Sequence, residues 1–235
     1  MEMVYGSLRR LLHALSLALL PPRCLVCGEA GSGGLDLCAA CRDALPVPTA
    51  ACRRCALPLP EAGVCGPCQR RPPPLDEVRA ALLYAAPVDR LLPRHKFHRD
   101  LAAGRLLATL MAAAFAGAER PQALVPVPLH RARLRERGYD QALELARPLA
   151  RRLGLPLLDG RLHRVRATAA QSALDATARR TNLRGAFAVR GGPLPAHVAL
   201  VDDVMTTGAT LHAAAQALRR AGVVRVDAWV CARVP

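Results

Sequence analysis

The chain has 235 residues, enough for one large domain or for a small module joined to a domain of ordinary size. Its apolar fraction of 52% can fill a packed core while aromatics reach only 3%, the balance of a globular α/β protein built on Ala, Leu and Val. A formal charge of +15 points to a polyanionic partner or a phosphate-rich ligand, although the Arg- and Ala-rich composition of a GC-rich genome accounts for part of the excess.

Residues 8–20, LRRLLHALSLALL, join two arginines to an apolar run. Pro21 and Pro22 follow, then Cys24, with no small-residue cleavage site between them, and the run falls short of the ~20 residues a membrane span needs. An amphipathic N-terminal helix over 1–23 is therefore expected, in a soluble, cytoplasmic protein with no membrane span.

Eight of the nine cysteines form the pairs Cys24-x2-Cys27, Cys38-x2-Cys41, Cys52-x2-Cys55 and Cys65-x2-Cys68, separated by ten, ten and nine residues. Two such knuckles complete the tetrahedral thiolate shell that zinc prefers, so eight thiols predict two zinc ions. Four disulfides would suit a small secreted domain, and the absence of a secretion signal argues against them. Pairing neighbours gives one site from Cys24, Cys27, Cys38 and Cys41 and another from Cys52, Cys55, Cys65 and Cys68; interleaved pairing satisfies the same count. The Gly- and Pro-rich text between knuckles has too few large apolar residues for a core, so metal must supply much of the folding energy. With no ligand position open, both sites read as structural, and two units of about −2 each leave the chain at roughly +11. Cys231 stands alone in an apolar run and reads as a buried thiol. The module spans 24–70 and the run RRPPPLDE resists regular structure, marking a linker at 71–77.

From 78 to 235 short apolar runs alternate with helical stretches, the rhythm of an α/β fold with a mainly parallel sheet. Strands are predicted near 78–85, 123–127, 187–189, 197–201 and 223–231, and helices near 100–117, 138–153 and 209–221. Pro148 is expected to cap, kink or split the second helix. Four arginines in seven residues, Arg131, Arg133, Arg135 and Arg137, follow the second strand. Their forks suit pyrophosphate or DNA phosphate oxygens, but a solvated basic helix face is the common explanation of such a run. Residues 164–185 carry basic and polar side chains with little periodicity and read as a mobile loop, or as a plain surface insertion. His95-x2-His98 could ligate a metal, yet a surface pair is the simpler reading.

The most informative segment is 197–210, HVALVDDVMTTGAT, followed by the helical LHAAAQALRRAG. A buried strand delivers two adjacent carboxylates to its C-terminal end, where ligands bind in open α/β sheets. The TTGAT turn then points backbone N–H groups and hydroxyls into a concavity at a helix N-terminus, a phosphate cradle. Carboxylates beside a phosphate cradle suit two vicinal hydroxyls, which together describe a ribose 5-phosphate site.

These residues resemble the motif with which type I phosphoribosyltransferases bind 5-phosphoribosyl-1-pyrophosphate (PRPP). The resemblance implies that Asp202 and Asp203 hold the ribose hydroxyls and act as the catalytic pair, that Thr206, Thr207, Gly208, Ala209 and Thr210 hold the 5-phosphate, that magnesium bridges the pyrophosphate, and that the 164–185 loop closes over the site. Together the four cysteine pairs, VPVPLHRARLRERGYDQA, QSALDATARRTNLRGAF and LVDDVMTTGATL resemble the ComF competence family over nearly the whole chain. That resemblance implies a small N-terminal double zinc ribbon, a type I phosphoribosyltransferase-like domain with helices on both sheet faces, and a part in natural transformation. Tyr139-Asp140 departs from the family's Phe-Asn, and His95-Lys96-Phe97 from its Leu-Lys-Phe. No Ser-His-Asp arrangement or Walker loop is present, so hydrolase and NTPase activities are not expected. Two functions compete: transfer of ribose 5-phosphate from PRPP, and a non-catalytic single-stranded DNA adaptor or nucleotide sensor working with the competence machinery.

Overall fold

A computed structural model describes residues 21–166 and 185–235. The helix expected before residue 21 and the loop expected over 164–185, but for its ends, lie outside the described residues. The described residues form two compact units that divide between Leu45 and Pro46.

In the first unit, Cys24 and Leu37 are buried around a turn closed by Cys24 N–H to the Glu29 carbonyl at 2.7 Å and Leu25 N–H to the Asp36 carbonyl at 3.0 Å. Helix α1 (Ala39–Asp43) is capped by the Cys38 sulfur, which accepts from the Cys41 N–H.

The second unit runs through α2 (Gly66–Arg70), β1 (Val78–Leu83), α3 (Val88–Phe97), α4 (Leu101–Phe115), β2 (Ala123–Pro126), α5 (Arg131–Arg137), α6 (Gln141–Leu153), β3 (Leu162–Arg164), β4 (Phe187–Val189), β5 (His197–Met205), α7 (Ala209–Arg220) and β6 (Arg225–Arg233). Four strands form a parallel sheet in the order β1-β6-β5-β2. Successive strand residues face opposite sides. Val198, Leu200, Val226, Ala228 and Val230 share a core with Leu211, Ala214 and Leu218 of α7, whereas Trp229 points the other way and meets Phe115 of α4, ring centroids 5.0 Å apart. Both faces are thereby covered by helices, as a parallel sheet requires. Cys231, near the C-terminal end of β6, is fully buried.

The differences from the expected elements have local causes. The strand expected at 187–189 stands outside the main sheet, paired antiparallel with β3. β5 continues past residue 201 because β6 offers Val230, Ala232 and Arg233 as partners to Asp202, Val204 and Met205. The helix expected from 138 starts at Gln141: Gly138, at φ 80°, closes α5, and the Asp140 carboxylate caps α6 at Leu143 N–H. Pro148 does not split α6, whose Leu145, Ala146, Leu149 and Ala150 are buried on either side of it. His95 and His98 are not a surface pair: His95 is fully buried and His98 exposed.

The cluster of Cys52, Cys55, Ala56 and Cys65 belongs to the same core as β5, β6 and α7. The stretch expected as a linker at 71–77 has no helix or strand but is pinned to the sheet unit. Leu75 is fully buried, Arg219 donates to the Pro74 carbonyl at 2.9 Å, and Asp76 accepts from the Val226 N–H at 2.8 Å.

Candidate functional site

The end of β5 sets down Asp202 and Asp203 side by side. An Asp202 oxygen accepts the Asp203 N–H at 2.9 Å, and an Asp203 oxygen accepts the Val204 N–H at 2.7 Å. Burial and then the neighbouring Asp203 charge push the Asp202 carboxyl well above the usual carboxylate range. Asp203, 7% exposed, holds an ion pair with Lys96 of α3 at 3.0 Å.

The chain then turns through Thr206, Thr207 and Gly208 into α7. Gly208 sits at φ 75°, a left-handed conformation that favours glycine, and a Cβ there would lie 2.5 Å from the Met205 methyl, which would have to shift. As N-cap residue it offers no side-chain acceptor, and the Thr207 hydroxyl reaches the Ala209 N–H only at 3.5 Å. The first-turn N–H groups at the positive end of the helix dipole suit an anion.

Beside this turn lies a cavity of about 130 Å³ lined by both aspartates, Thr210, Lys96, Arg133, Arg137 and Arg164. Arg133 and Arg137 are one turn apart on α5 and so share a face. Arg131 instead lines a neighbouring cavity with His130 and Arg190, and Arg135 is exposed and lines neither. The four arginines thus do not act as one patch. Arg137 also lies over the exposed Phe97 ring, 5.3 Å from its centroid.

Sequence reasoning missed Lys96 and Arg164. Lys96 rides on α3, a helix that was not predicted, and nothing local marks it as the partner of a residue more than a hundred positions away. Arg164 ends β3, a three-residue strand too short to announce itself, and burial lowers its basicity. Asp140 accepts Leu129 N–H at 2.9 Å as well as capping α6, tying the segment after β2 to that helix, and its burial raises its carboxyl. Tyr139 is half-buried and stands edge-on to His95, centroids 5.9 Å apart.

The eight paired cysteines gather as neighbours and not as interleaved pairs. In each of the sets Cys24, Cys27, Cys38, Cys41 and Cys52, Cys55, Cys65, Cys68, all four sulfurs lie within 4.8 Å of one another. Burial would raise the Cys24 thiol, but N–H groups of Cys38, Cys27 and Val26 outweigh it and hold the thiol at about 6. The same opposition holds Cys52 at about 7, through N–H groups of Cys65 and Arg54. Each set therefore has one thiol ready to ionise and four soft donors that can close around one ion, which fits structural zinc. Among the described residues no helix is long and apolar enough to cross a membrane.

Two family models match separate parts of the chain, and the first of them crosses the boundary between the two compact units. Residues 15–69 match the double zinc ribbon domain and residues 140–235 the phosphoribosyl transferase domain. Competence protein F of Haemophilus influenzae is 39% identical over 178 residues, covering 72% of this chain and 78% of that protein. DNA utilization protein YhgH of Salmonella typhimurium is 36% identical over 204 residues, 84% and 90% of the two chains. Competence protein ComFC of Bacillus subtilis is 30% identical over 195 residues, 79% of each.

Proposed function

Since this chain belongs to the ComF family of competence-related proteins, which join a double zinc ribbon to a phosphoribosyltransferase domain, we propose that it binds PRPP and transfers its ribose 5-phosphate to an acceptor during DNA uptake. One observation carries this reading. Two adjacent carboxylates, and Thr210 from the first turn of a helix without a side-chain cap, line one cavity with four cations, while 206–209 lie next to Thr210 in the chain. In this arrangement 206–210 hold the 5-phosphate, Asp202 and Asp203 accept hydrogen bonds from the ribose hydroxyls, and Lys96, Arg133, Arg137 and Arg164 face the pyrophosphate.

In the transfer, the bond from the anomeric carbon to pyrophosphate breaks and a bond to the acceptor forms. The acceptor's proton leaves to water or to the departing pyrophosphate. The cations stabilise the charge that grows on the leaving group, and the two carboxylates face a cation-like sugar, so fixed electrostatics does most of the work. Magnesium, when bound, neutralises and orients the pyrophosphate. We place the protein in the cytoplasm, where reducing conditions keep the cysteines available to zinc.

Calorimetry with PRPP and magnesium tests this. Asp202→Ala/Asp203→Ala is expected to weaken binding at least tenfold, because each lost hydrogen bond to a charged acceptor costs about 1.5–3 kcal/mol. An unchanged dissociation constant in a folded double variant overturns the reading.

A second reading, a single-stranded DNA adaptor, is favoured by Arg135, which is exposed and does not line the cavity, and by the charge of +15.

A further inference from the structure

The C-terminal end of β6 connects the second cysteine cluster to the loop after β5. Arg233, 6% exposed, donates from Nε to the Cys55 carbonyl at 2.8 Å. Its terminal nitrogen donates to the Met205 carbonyl at 3.1 Å and to that of Val234. Val234 also donates its N–H to the Met205 carbonyl at 3.0 Å. Met205 is the last residue of β5, directly before Thr206, and its methyl is the atom that a Cβ on Gly208 would strike. One side chain therefore grips a zinc knuckle with one edge and the root of the phosphate loop with the other.

Charge gives the same answer independently. A guanidinium buried this deeply needs a compensating negative charge. Among the described residues no carboxylate lies within ion-pair distance of Arg233. A zinc ion held by the four thiolates would carry about −2 and would supply that charge, since Arg233 already donates to the backbone of one of its ligands, Cys55.

We infer that Arg233 couples the Cys52, Cys55, Cys65 and Cys68 centre to the phosphate loop, so that zinc at this centre sets the loop's geometry and an anion held in the loop steadies the zinc. The second half follows from the first, because coupling free energies between sites are reciprocal. The inference rests on the reading of 206–210 as a phosphate site.

The test uses the full zinc-loaded chain and its Arg233→Met variant, with and without PRPP and magnesium. Zinc release into a colorimetric chelator is followed together with amide exchange over 205–211, and alkylation with mass spectrometry identifies which cysteines each release step frees. Arg233→Met is expected to speed release from the Cys52–Cys68 centre about tenfold, within the usual range of site coupling, and to raise exchange over 205–211. Release from the Cys24–Cys41 centre keeps its rate. PRPP slows the coupled step in the wild type and loses that effect in the variant. Equal acceleration of both steps overturns the inference, as does unchanged exchange over 205–211. Should the variant fail to fold, the wild type decides: exchange over 205–211 must rise in step with alkylation of Cys52 and Cys55. If PRPP does not bind, the phosphate reading fails, while the exchange and alkylation results still decide the coupling.

Discussion

His95 shows how a single residue is set by its surroundings. Its Nε2 lies 3.2 Å from the Gln141 carbonyl, and a Cβ on Gly104 would lie 2.7 Å from its Nδ1, so only glycine on α4 leaves the ring its space. Burial holds the ring below its ordinary 6.5, neutral at physiological pH. The unfolded chain takes up a proton at that position below pH 6.5, where the folded one does not. Stability from this group is therefore present above 6.5 and lost as pH falls toward the folded value, at no more than about 1.4 kcal/mol per pH unit. Asp202 works in the opposite sense: its raised carboxyl loses stability as pH climbs above the usual carboxylate range. Melting temperature measured against pH for wild type and His95→Gln separates them, because the variant is expected to lose only the decline below 6.5. That His95 would be buried was not legible in the sequence, where a polar pair around Lys96 reads as surface.

On the scale of elements, α5 sorts four arginines that look equivalent along the chain. A helical turn places Arg133 and Arg137 toward the acidic pair and leaves Arg135 in solvent. Arg133→Gln is expected to weaken PRPP binding tenfold or more in calorimetry, since a charge-assisted hydrogen bond is worth about 1.5–3 kcal/mol. Arg135→Gln is expected to leave PRPP binding unchanged. If Arg135 meets single-stranded DNA, this variant makes the slope of log affinity against log salt shallower by about 0.7. Equal effects of both variants on PRPP binding would show that α5 presents no distinct face to the ligand. The position of the arginines was readable in the sequence, but their division was not, because α5 begins and ends at His130 and Gly138 only once the flanking segments are folded.

At the scale of the whole molecule, the two cysteine clusters have different standing. The first lies in the unit before Pro46, while the second helps to fill the core beneath β5, β6 and α7. Elemental analysis of protein purified without added metal is expected to find two zinc ions per chain. Cys52→Ala is expected to lower the melting of the 46–235 unit by roughly 10 °C, the effect of about 3 kcal/mol in a domain of this size. Cys24→Ala is expected to leave that transition in place. Calorimetric unfolding of both variants checks this, and an identical response to the two changes would make the clusters equivalent.

The sequence alone determined what depends on near neighbours. Cysteine spacing defined the thiol pairs, alternation of apolar runs gave the four strands of the parallel sheet, and the order Asp202, Asp203, Thr206, Thr207, Gly208 placed two carboxylates and a glycine turn into a helix at one strand end. Each is a local pattern, written within a turn or a strand. Only the tertiary structure decided which pairs share an ion, that the second ribbon packs with the sheet, and that Lys96 meets Asp203 and Arg233 meets Cys55 across more than a hundred residues. Such contacts arise from the crossing of parallel strands and from burial, which bring together residues that no local pattern pairs.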